Sequence, residues 1–264
     1  MDDELIEVAG ARLAVRAMNP QGEGHPLIFL HEGLGSIELW RDFPARVVDA
    51  TGHPGLVYSR HGYGWSDPLV GPRQPDYMHR EAREVLPVIA GGFTGDAPIL
   101  IGHSDGASIA LIYAGSGHRV AGLVLLAPHV FVEDLGLESI RSLHASSAEL
   151  VERMAKYHTD PEATLRGWAE VWLDERFRSW NLEGYLARIR CPILLVQCEG
   201  DEYGSIAHLD AIESQVQGPV ERLVFPGPGH SPHLSNPEPV IAATTRFIGM
   251  IGSPEPGAVR NQRT

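Results

Sequence analysis

A serine between two glycines is the first feature of the sequence that could do covalent chemistry. Ser104 lies in the stretch GHSDG at 102–106, directly after the apolar segment 97–102 and directly before the helix-favouring segment 107–114. Glycines on both sides permit a sharp strand-to-helix turn, which exposes the serine hydroxyl and points the next backbone N–H at a bound carbonyl. This context predicts a nucleophile. The alternative is a turn serine that only caps a helix.

A serine hydroxyl attacks efficiently only when a base takes its proton, and a third group must orient that base. His230 ends the stretch GPGH at 227–230 and follows the apolar segment 221–227. The small Gly229 lets this loop approach the serine, so we expect His230 to be the base. His233 is the competitor, and its other interpretation is a hydrogen-bonded residue near a helix start.

The acid that orients the histidine is expected between the serine and the histidine in chain order. Asp201 fits, because it begins the loop after the apolar segment 192–198, and its neighbours Glu199 and Glu202 remain alternatives. Glu133 and Asp134 are poor rivals, since they lie well beyond the end of an earlier strand.

Stabilisation of the negative oxygen in the transition state requires backbone N–H donors. The stretch FLHEGLGS at 29–36 follows an early apolar strand, where the second donor is expected. We predict that the N–H groups of Asp105 and Gly33 form this oxyanion hole, with Glu32 or Leu34 as alternatives to Gly33. The Glu32 side chain is either a charge beside the reaction centre or an outward-facing loop carboxylate.

The chemistry-bearing residues follow a regular alternation of strand and helix patterns. Residues 4–8 and 11–18 alternate polar and apolar positions and predict an antiparallel hairpin. Further strands are then predicted at 27–30, 55–60, 97–102, 120–127, 192–198 and 221–227. Helices are predicted between and after them, at 37–50, 76–90, 107–114, 206–216 and 236–251. This order predicts an α/β fold with a mostly parallel sheet and helices on both faces.

The alternation stops between 132 and 188, where three amphipathic helical segments replace it, at 137–143, 148–157 and 161–173. We therefore divide the chain into a first core part (1–131), a helical cap (132–188), a second core part (189–252) and a flexible tail (253–264). The predicted substrate pocket combines Glu32 and His129 with Trp168 and Trp172 of the cap. The alternative is that the tryptophans form only the cap's own core.

Composition excludes several classes of function. The net charge is −13, from 34 acidic and 21 basic residues, so the surface should repel nucleic acid and anionic membranes. The two cysteines cannot form a disulfide framework, and no signal peptide or apolar span of ~20 residues is visible. We expect a cytoplasmic protein with a small-molecule substrate and no cofactor. No metal is expected either, because the histidines at 230 and 233 lack a third ligand cluster.

These motifs together make the chain similar to the α/β-hydrolase superfamily over about residues 4–252. The residues that carry the resemblance are HEGLGS at 31–36, Trp40, GYGWSD at 62–67, GHSDG at 102–106, EGD at 199–201 and GPGHSPH at 227–233. The resemblance implies an eight-stranded sheet with an antiparallel first part and a helical cap after the sixth strand. It also implies Ser104, Asp201 and His230 as a catalytic triad. One departure is Glu32, since many relatives have glycine at that position.

The activity expected from these residues is serine-dependent hydrolysis of an ester-type bond (a carboxylic ester, lactone or thioester) through an acyl-enzyme. The tryptophans favour an apolar substrate. A carbon–carbon bond next to a ketone could be cleaved by the same triad, because the fold does not select the bond. Two further hypotheses are a cofactorless oxygenase, in which a His–Asp pair deprotonates the substrate, and a small-molecule receptor.

Overall fold

Eight strands form one sheet in the computed structural model, which describes residues 3–93 and 96–252. In chain order the strands are β1 (Glu4–Val8), β2 (Ala11–Met18), β3 (Leu27–Leu30), β4 (Gly55–Tyr58), β5 (Ile99–His103), β6 (Gly122–Leu126), β7 (Ile193–Gly200) and β8 (Val220–Pro228). Their order across the sheet is β1-β2-β4-β3-β5-β6-β7-β8. Strand β2 pairs antiparallel with β1 and β4, and all other pairs are parallel. The predicted fold class is confirmed.

The central strands are apolar on both faces because helices cover both sides of the sheet. Alternate side chains of a strand point to opposite faces. Leu30, Leu100 and Leu125 accordingly belong to one buried cluster, whereas Phe29 and Ile101 belong to the other. This double burial holds the carboxyl ends of β3 and β5 rigidly side by side.

The helices are α1 (Phe43–Thr51), α2 (Tyr77–Arg80), α3 (Leu86–Gly91), α4 (Asp105–Gly115), α5 (Asp134–Ala145), α6 (Ser147–Met154), α7 (Pro161–Leu173), α8 (Glu183–Leu186), α9 (Ala207–Gln215), α10 (Pro232–Ser235) and α11 (Pro237–Met250). Two predicted helices depart from regular α-helical geometry near a proline. The pattern at 37–50 becomes a 3₁₀ turn followed by α1, and the pattern at 76–90 contains a π-helical turn at Glu81–Val85. Pro44 and Pro87 lie in the first turns of α1 and α3, where the missing N–H is tolerated.

Helices α5 to α8 form the chain segment between β6 and β7, where the sequence predicts a cap. His158, between α6 and α7, connects this segment to the loops after β3 and β4. Its Nδ1 accepts a hydrogen bond from the Gly64 N–H at 3.0 Å, and its Nε2 lies 3.0 Å from the Leu34 carbonyl oxygen. The predicted flexible tail, 253–264, lies outside the described residues.

Candidate active site

Ser104 occupies a strained turn between β5 and α4, with φ 51° and ψ −115°. Backbone angles in such sparsely populated regions cost about 1–3 kcal/mol for a residue other than glycine. Close backbone approaches explain the flanking glycines. A Cβ at Gly106 would lie 1.9 Å from the Leu30 carbonyl oxygen, and one at Gly102 would lie 2.5 Å from the Gly106 backbone. The glycines of GHSDG therefore permit the turn that the sequence predicts.

The structure brings His230 against Asp201. The His230 Nδ1 lies 2.9 Å from each carboxylate oxygen, and Asp201 is only 4% exposed. The Tyr203 N–H donates a further hydrogen bond to the Asp201 Oδ1. Because Nδ1 faces the acid, it must carry the hydrogen in the neutral histidine, and Nε2 is left as the atom that can accept a proton.

The alternative acids and the alternative base lie elsewhere. Glu199 is exposed, and Glu202 lines the cavity described below without a hydrogen bond to His230. The His233 ring is buried against Trp40 and Phe43, at centroid distances of 5.0 and 5.3 Å. His233 lies in the first turn of α10, in agreement with the helix-start interpretation, but its Nδ1 has no hydrogen-bond partner among the described residues.

Ser104 and His230 line one cavity of about 520 Å³. Glu32, Gly33 and Trp168 line it as well, and apolar side chains complete the wall, among them Leu34, Leu143 and Leu234. Leu143 and Trp168 belong to α5 and α7, so the segment between β6 and β7 contributes to the cavity wall.

Two predicted pocket residues do not line this cavity. Trp172 packs against Phe177 and Trp180 and donates its indole N–H to the Tyr77 hydroxyl at 3.0 Å. His129 is buried beside His230, with ring centroids 5.6 Å apart. Burial and the neighbouring His208 and His230 lower the pKa of His129 well below its usual value, which keeps it neutral. Spacing along a helix does not distinguish a tryptophan of the cap's core from one facing the cavity, and this explains the error at Trp172.

The backbone N–H groups of Gly33 and Asp105 donate to no other described backbone oxygen. Gly33 lies under the Trp168 indole, since a Cβ at this position would lie 2.0 Å from the indole nitrogen. Asp105 is the first residue of α4, so its N–H is one of the free donors at a helix start. Both groups are available to a ligand oxygen.

Sequence reasoning missed Arg60, which fixes the peptide bond between Glu32 and Gly33. The buried guanidinium donates to the Glu32 carbonyl oxygen at 2.8 Å, and the His31 Nδ1 lies 2.7 Å from the same oxygen. In a trans peptide the carbonyl and the N–H point in opposite directions. Holding this carbonyl therefore aims the Gly33 N–H. A basic residue just after the buried strand β4 was the available signal.

The Asp105 side chain, also missed, is held by two buried partners. The Tyr77 hydroxyl donates to Asp105 Oδ2 at 2.6 Å, and the same oxygen lies 3.5 Å from the Arg60 guanidinium. Arg60 thus contacts the residues on both sides of the predicted oxyanion hole. Burial, and next the Asp105 charge, raise the pKa of Tyr77 well above its usual value, so its hydroxyl remains a donor.

A family model described as the alpha/beta hydrolase family matches residues 27–243 of this chain. The chain belongs to the α/β-hydrolase family. This match supports hydrolase activity. No curated protein matches the sequence of this α/β-hydrolase significantly.

Solved structures of similar fold cover nearly the whole α/β-hydrolase chain. A hydrolase from Pseudomonas aeruginosa PA01 has a TM-score of 0.72 at 17% identity, covering 94% of this chain and 98% of that one. Esterase RhEst1 from Rhodococcus sp. ECU1013 has a TM-score of 0.69 at 18% identity, covering 96% and 100%. Proline iminopeptidase from Mycobacterium smegmatis has a TM-score of 0.66 at 17% identity, covering 94% and 98%. At these identities the likeness concerns the fold.

Within residues 3–93 and 96–252 of this α/β-hydrolase, no group of three or more His, Cys, Asp or Glu side chains could hold a metal ion. Over the same residues, every helix is too short or too polar to cross a membrane.

Proposed function

We propose that this protein is a serine hydrolase that cleaves an ester-type bond of a small, largely apolar substrate through an acyl-enzyme. One observation carries the proposal: the strained Ser104 turn shares a cavity with His230, whose Nδ1 is 2.9 Å from the buried Asp201 carboxylate. Strain of this kind clusters at functional sites and persists only where the surroundings hold it.

In the proposed reaction the Ser104 Oγ attacks the carbonyl carbon while the His230 Nε2 takes the hydroxyl proton. Asp201 keeps the imidazole in the required tautomer and stabilises the imidazolium that forms. The N–H groups of Gly33 and Asp105 stabilise the negative oxygen, and His230 then gives the proton to the leaving alcohol or thiol. A water molecule, activated by His230, releases the acid and regenerates Ser104.

The cavity supports a small, predominantly apolar acyl group. A volume of about 520 Å³ is within the usual range of ~300–1,000 Å³ for small-molecule sites. Leucine and tryptophan side chains supply much of the wall, whereas Glu32 and Glu202 contribute carboxylates and no lysine or arginine lines it. We therefore expect neutral esters, lactones or thioesters to be better substrates than anionic ones.

The experiment is a panel of nitrophenyl esters of increasing acyl length, assayed with the wild type and with Ser104→Ala. The proposal predicts turnover by the wild type, a preference for one acyl length, and loss of turnover in the variant. Retained turnover in folded Ser104→Ala would contradict the serine mechanism. No turnover of any ester by folded wild type would contradict ester hydrolysis and direct attention to carbon–carbon substrates.

A further inference from the structure

The buried imidazole of His103, the residue before the proposed nucleophile, lies between two hydrogen-bond acceptors. Its Nε2 is 2.7 Å from the His230 carbonyl oxygen, and its Nδ1 is 3.4 Å from the Glu32 Oε2. The residue is 1% exposed, and Nδ1 forms no hydrogen bond within the described part of the chain, so the Glu32 carboxylate is a close neighbour of Nδ1 without being its hydrogen-bond partner. A carbonyl oxygen only accepts, so the hydrogen bond to His230 requires a hydrogen on Nε2.

A neutral imidazole carries a single hydrogen, which this contact already uses. The bare, buried Nδ1 would then face a half-buried carboxylate, and leaving a buried acceptor without a donor is costly. A second hydrogen on the ring removes the conflict and creates a charge-assisted contact with Glu32.

The charge state of Glu32 agrees with this. Burial alone would raise the pKa of Glu32, but the hydrogen bond and charge of His103 outweigh burial and hold that pKa well below its usual value. An ionised Glu32 beside a neutral His103 would be a half-buried charge without a partner, whereas an ion pair with His103 is electrically neutral.

Two of the histidines near His103 and Glu32 are held neutral by burial. Burial, and then the charge of His103, lower the pKa of His233 well below its usual value. Burial, and then Arg60, do the same for His31. The third neighbour, His230, faces Asp201, with its ring centroid 5.2 Å from that of His103.

Gly35 shows that the Glu32 side chain is accommodated in this inward position. A Cβ at residue 35 would lie 2.4 Å from the Glu32 Oε2 and 2.8 Å from the His31 Cβ. Only glycine at this position leaves the carboxylate its place beside His103. Of the two sequence-based interpretations of Glu32, the inward one is therefore correct.

We propose that protonated His103 and Glu32 form an ion pair at the cavity wall that positions the His230 loop against the oxyanion loop during catalysis. The inference rests on the proposed serine mechanism. His103 precedes Ser104 and holds the backbone of His230, while Glu32 precedes Gly33. One ion pair therefore joins the three loops that carry the nucleophile, the base and the oxyanion donor. His103 and Glu32 are positioning residues.

The first test does not depend on turnover. We would record NMR spectra of the full protein labelled with ¹⁵N-histidine, and assign His103 with His103→Asn. The proposal predicts hydrogens on both ring nitrogens of His103 at neutral pH. In Glu32→Gln it predicts a single hydrogen, because the amide NH₂ can donate to a bare Nδ1. A bare His103 Nδ1 in the wild type would overturn the inference, whatever the activity of the protein.

The second test follows kcat against pH. In the wild type, alkaline loss of the second hydrogen turns Nδ1 from donor to acceptor, so kcat should fall as the loops separate. Glu32→Gln should lack this alkaline fall, because its amide satisfies neutral His103. Glu202→Gln removes the same charge from the cavity wall without affecting a histidine, and it should keep the fall. Equal alkaline limbs in wild type and Glu32→Gln would overturn the inference.

A third variant separates positioning from folding. Glu32→Ala removes the partner of the His103 Nδ1. We therefore expect kcat to fall about 10- to 100-fold with a smaller change in KM, because misplacing reacting groups lowers the rate more than it weakens substrate binding. Restoration of kcat near neutral pH by Glu32→Gln would show that the hydrogen bond is responsible. Failure of Glu32→Gln to restore it, in a folded protein, would contradict the inference. Absence of Ser104-dependent turnover in the wild type would instead contradict the proposed function and leave the NMR test valid.

Discussion

Gly33 is the residue at which the proposed oxyanion hole is most sensitive to a small change. Its N–H is aimed by the contacts of Arg60 and His31 to the Glu32 carbonyl oxygen, and the Trp168 indole covers its Cα. A methyl group here has no free space, although the backbone φ of Gly33 is not in the positive range. The missing side chain of Gly33 therefore allows the loop to pack closely against the Trp168 indole.

We predict that Gly33→Ala lowers kcat/KM for any ester substrate by about 100- to 1000-fold, the usual cost of one lost oxyanion donor. The added Cβ would lie 2.0 Å from the Trp168 indole nitrogen, so the loop must move. Steady-state kinetics measure the loss. The matched control is Gly167→Ala in α7, where a Cβ meets nothing within 4 Å and activity should be unchanged. Equal activities of the two variants would contradict the assignment of Gly33.

Asp201→Asn tests the acid separately from the fold. The amide keeps the size of the side chain but favours the wrong tautomer of His230, so we expect kcat to fall by about 10,000-fold. Glu199→Gln, on the exposed neighbour, should change kcat by less than about 2-fold, since surface substitutions away from such contacts have small effects. Assays at saturating ester give the answer. A larger loss in Glu199→Gln than in Asp201→Asn would contradict the assignment of the acid.

Among the elements, the start of the cap is joined to the loop of the acid by one carboxylate. Glu133, just before α5, lies 2.9 Å from the His208 Nε2 in α9 and accepts hydrogen bonds from the Ser205 N–H and hydroxyl at 2.8 and 2.7 Å. His208 Nδ1 accepts from the Val130 N–H, so its hydrogen is on Nε2 and points at Glu133. These contacts fix the far side of the loop that carries Asp201.

The hydrogen bond from His208, with further hydrogen bonds from Ser205, lowers the pKa of Glu133 to about 2. A depressed carboxyl pKa gives stability that is present above the pKa of the unfolded chain and lost as pH falls toward the folded value. We predict that the free energy of unfolding falls less between pH 7 and about pH 3 in Glu133→Gln than in the wild type. Urea unfolding at each pH measures this, with Glu138→Gln on exposed α5 surface as control. Parallel pH dependences of all three proteins would contradict the link.

The elements themselves were predictable wherever a local pattern determines them. The hairpin at 4–8 and 11–18 has the predicted bounds, and the Ser104 turn lies where GHSDG places it. The predicted helix at 37–50 begins too early, because apolar spacing continues through the 3₁₀ turn that precedes Pro44. The predicted helix at 76–90 corresponds to the continuous helical stretch 77–91, which contains a π-helical turn before Pro87.

The site was predictable only as far as its residues lie in short motifs. Ser104, Asp201 and His230 each come shortly after a strand, and the structure brings the last two together. Arg60 and Tyr77 were missed because their partners are 28 or more positions away along the chain. Such contacts depend on the packing of the whole sheet, which no local pattern records.

For the whole molecule, topology and charge act on the same cavity. Ser104 follows β5, Asp201 follows β7 and His230 follows β8, so the carboxyl ends of parallel strands gather the reacting groups at one edge of the sheet. The cavity at this edge carries Glu32 and Glu202, and the chain as a whole has a net charge of −13. Both should repel an approaching anion.

We therefore predict that a neutral ester has a higher kcat/KM than an ester of similar size that ends in a carboxylate. The preference should weaken as salt is added, because counter-ions screen charges separated by more than about 10 Å at 0.1 M ionic strength. Glu202→Gln should also weaken it. A preference for the anionic ester at low salt would contradict this interpretation of the cavity.

Covalent labelling tests most directly whether Ser104 is the nucleophile. The protein is incubated with a fluorophosphonate, which phosphonylates activated serines, and the adduct is located by peptide mass spectrometry. We predict one adduct, on Ser104. It should be absent from Ser104→Ala, and it should form much more slowly in His230→Ala. An adduct on another residue, or an unlabelled but folded wild type, would contradict the assignment of Ser104 as the nucleophile.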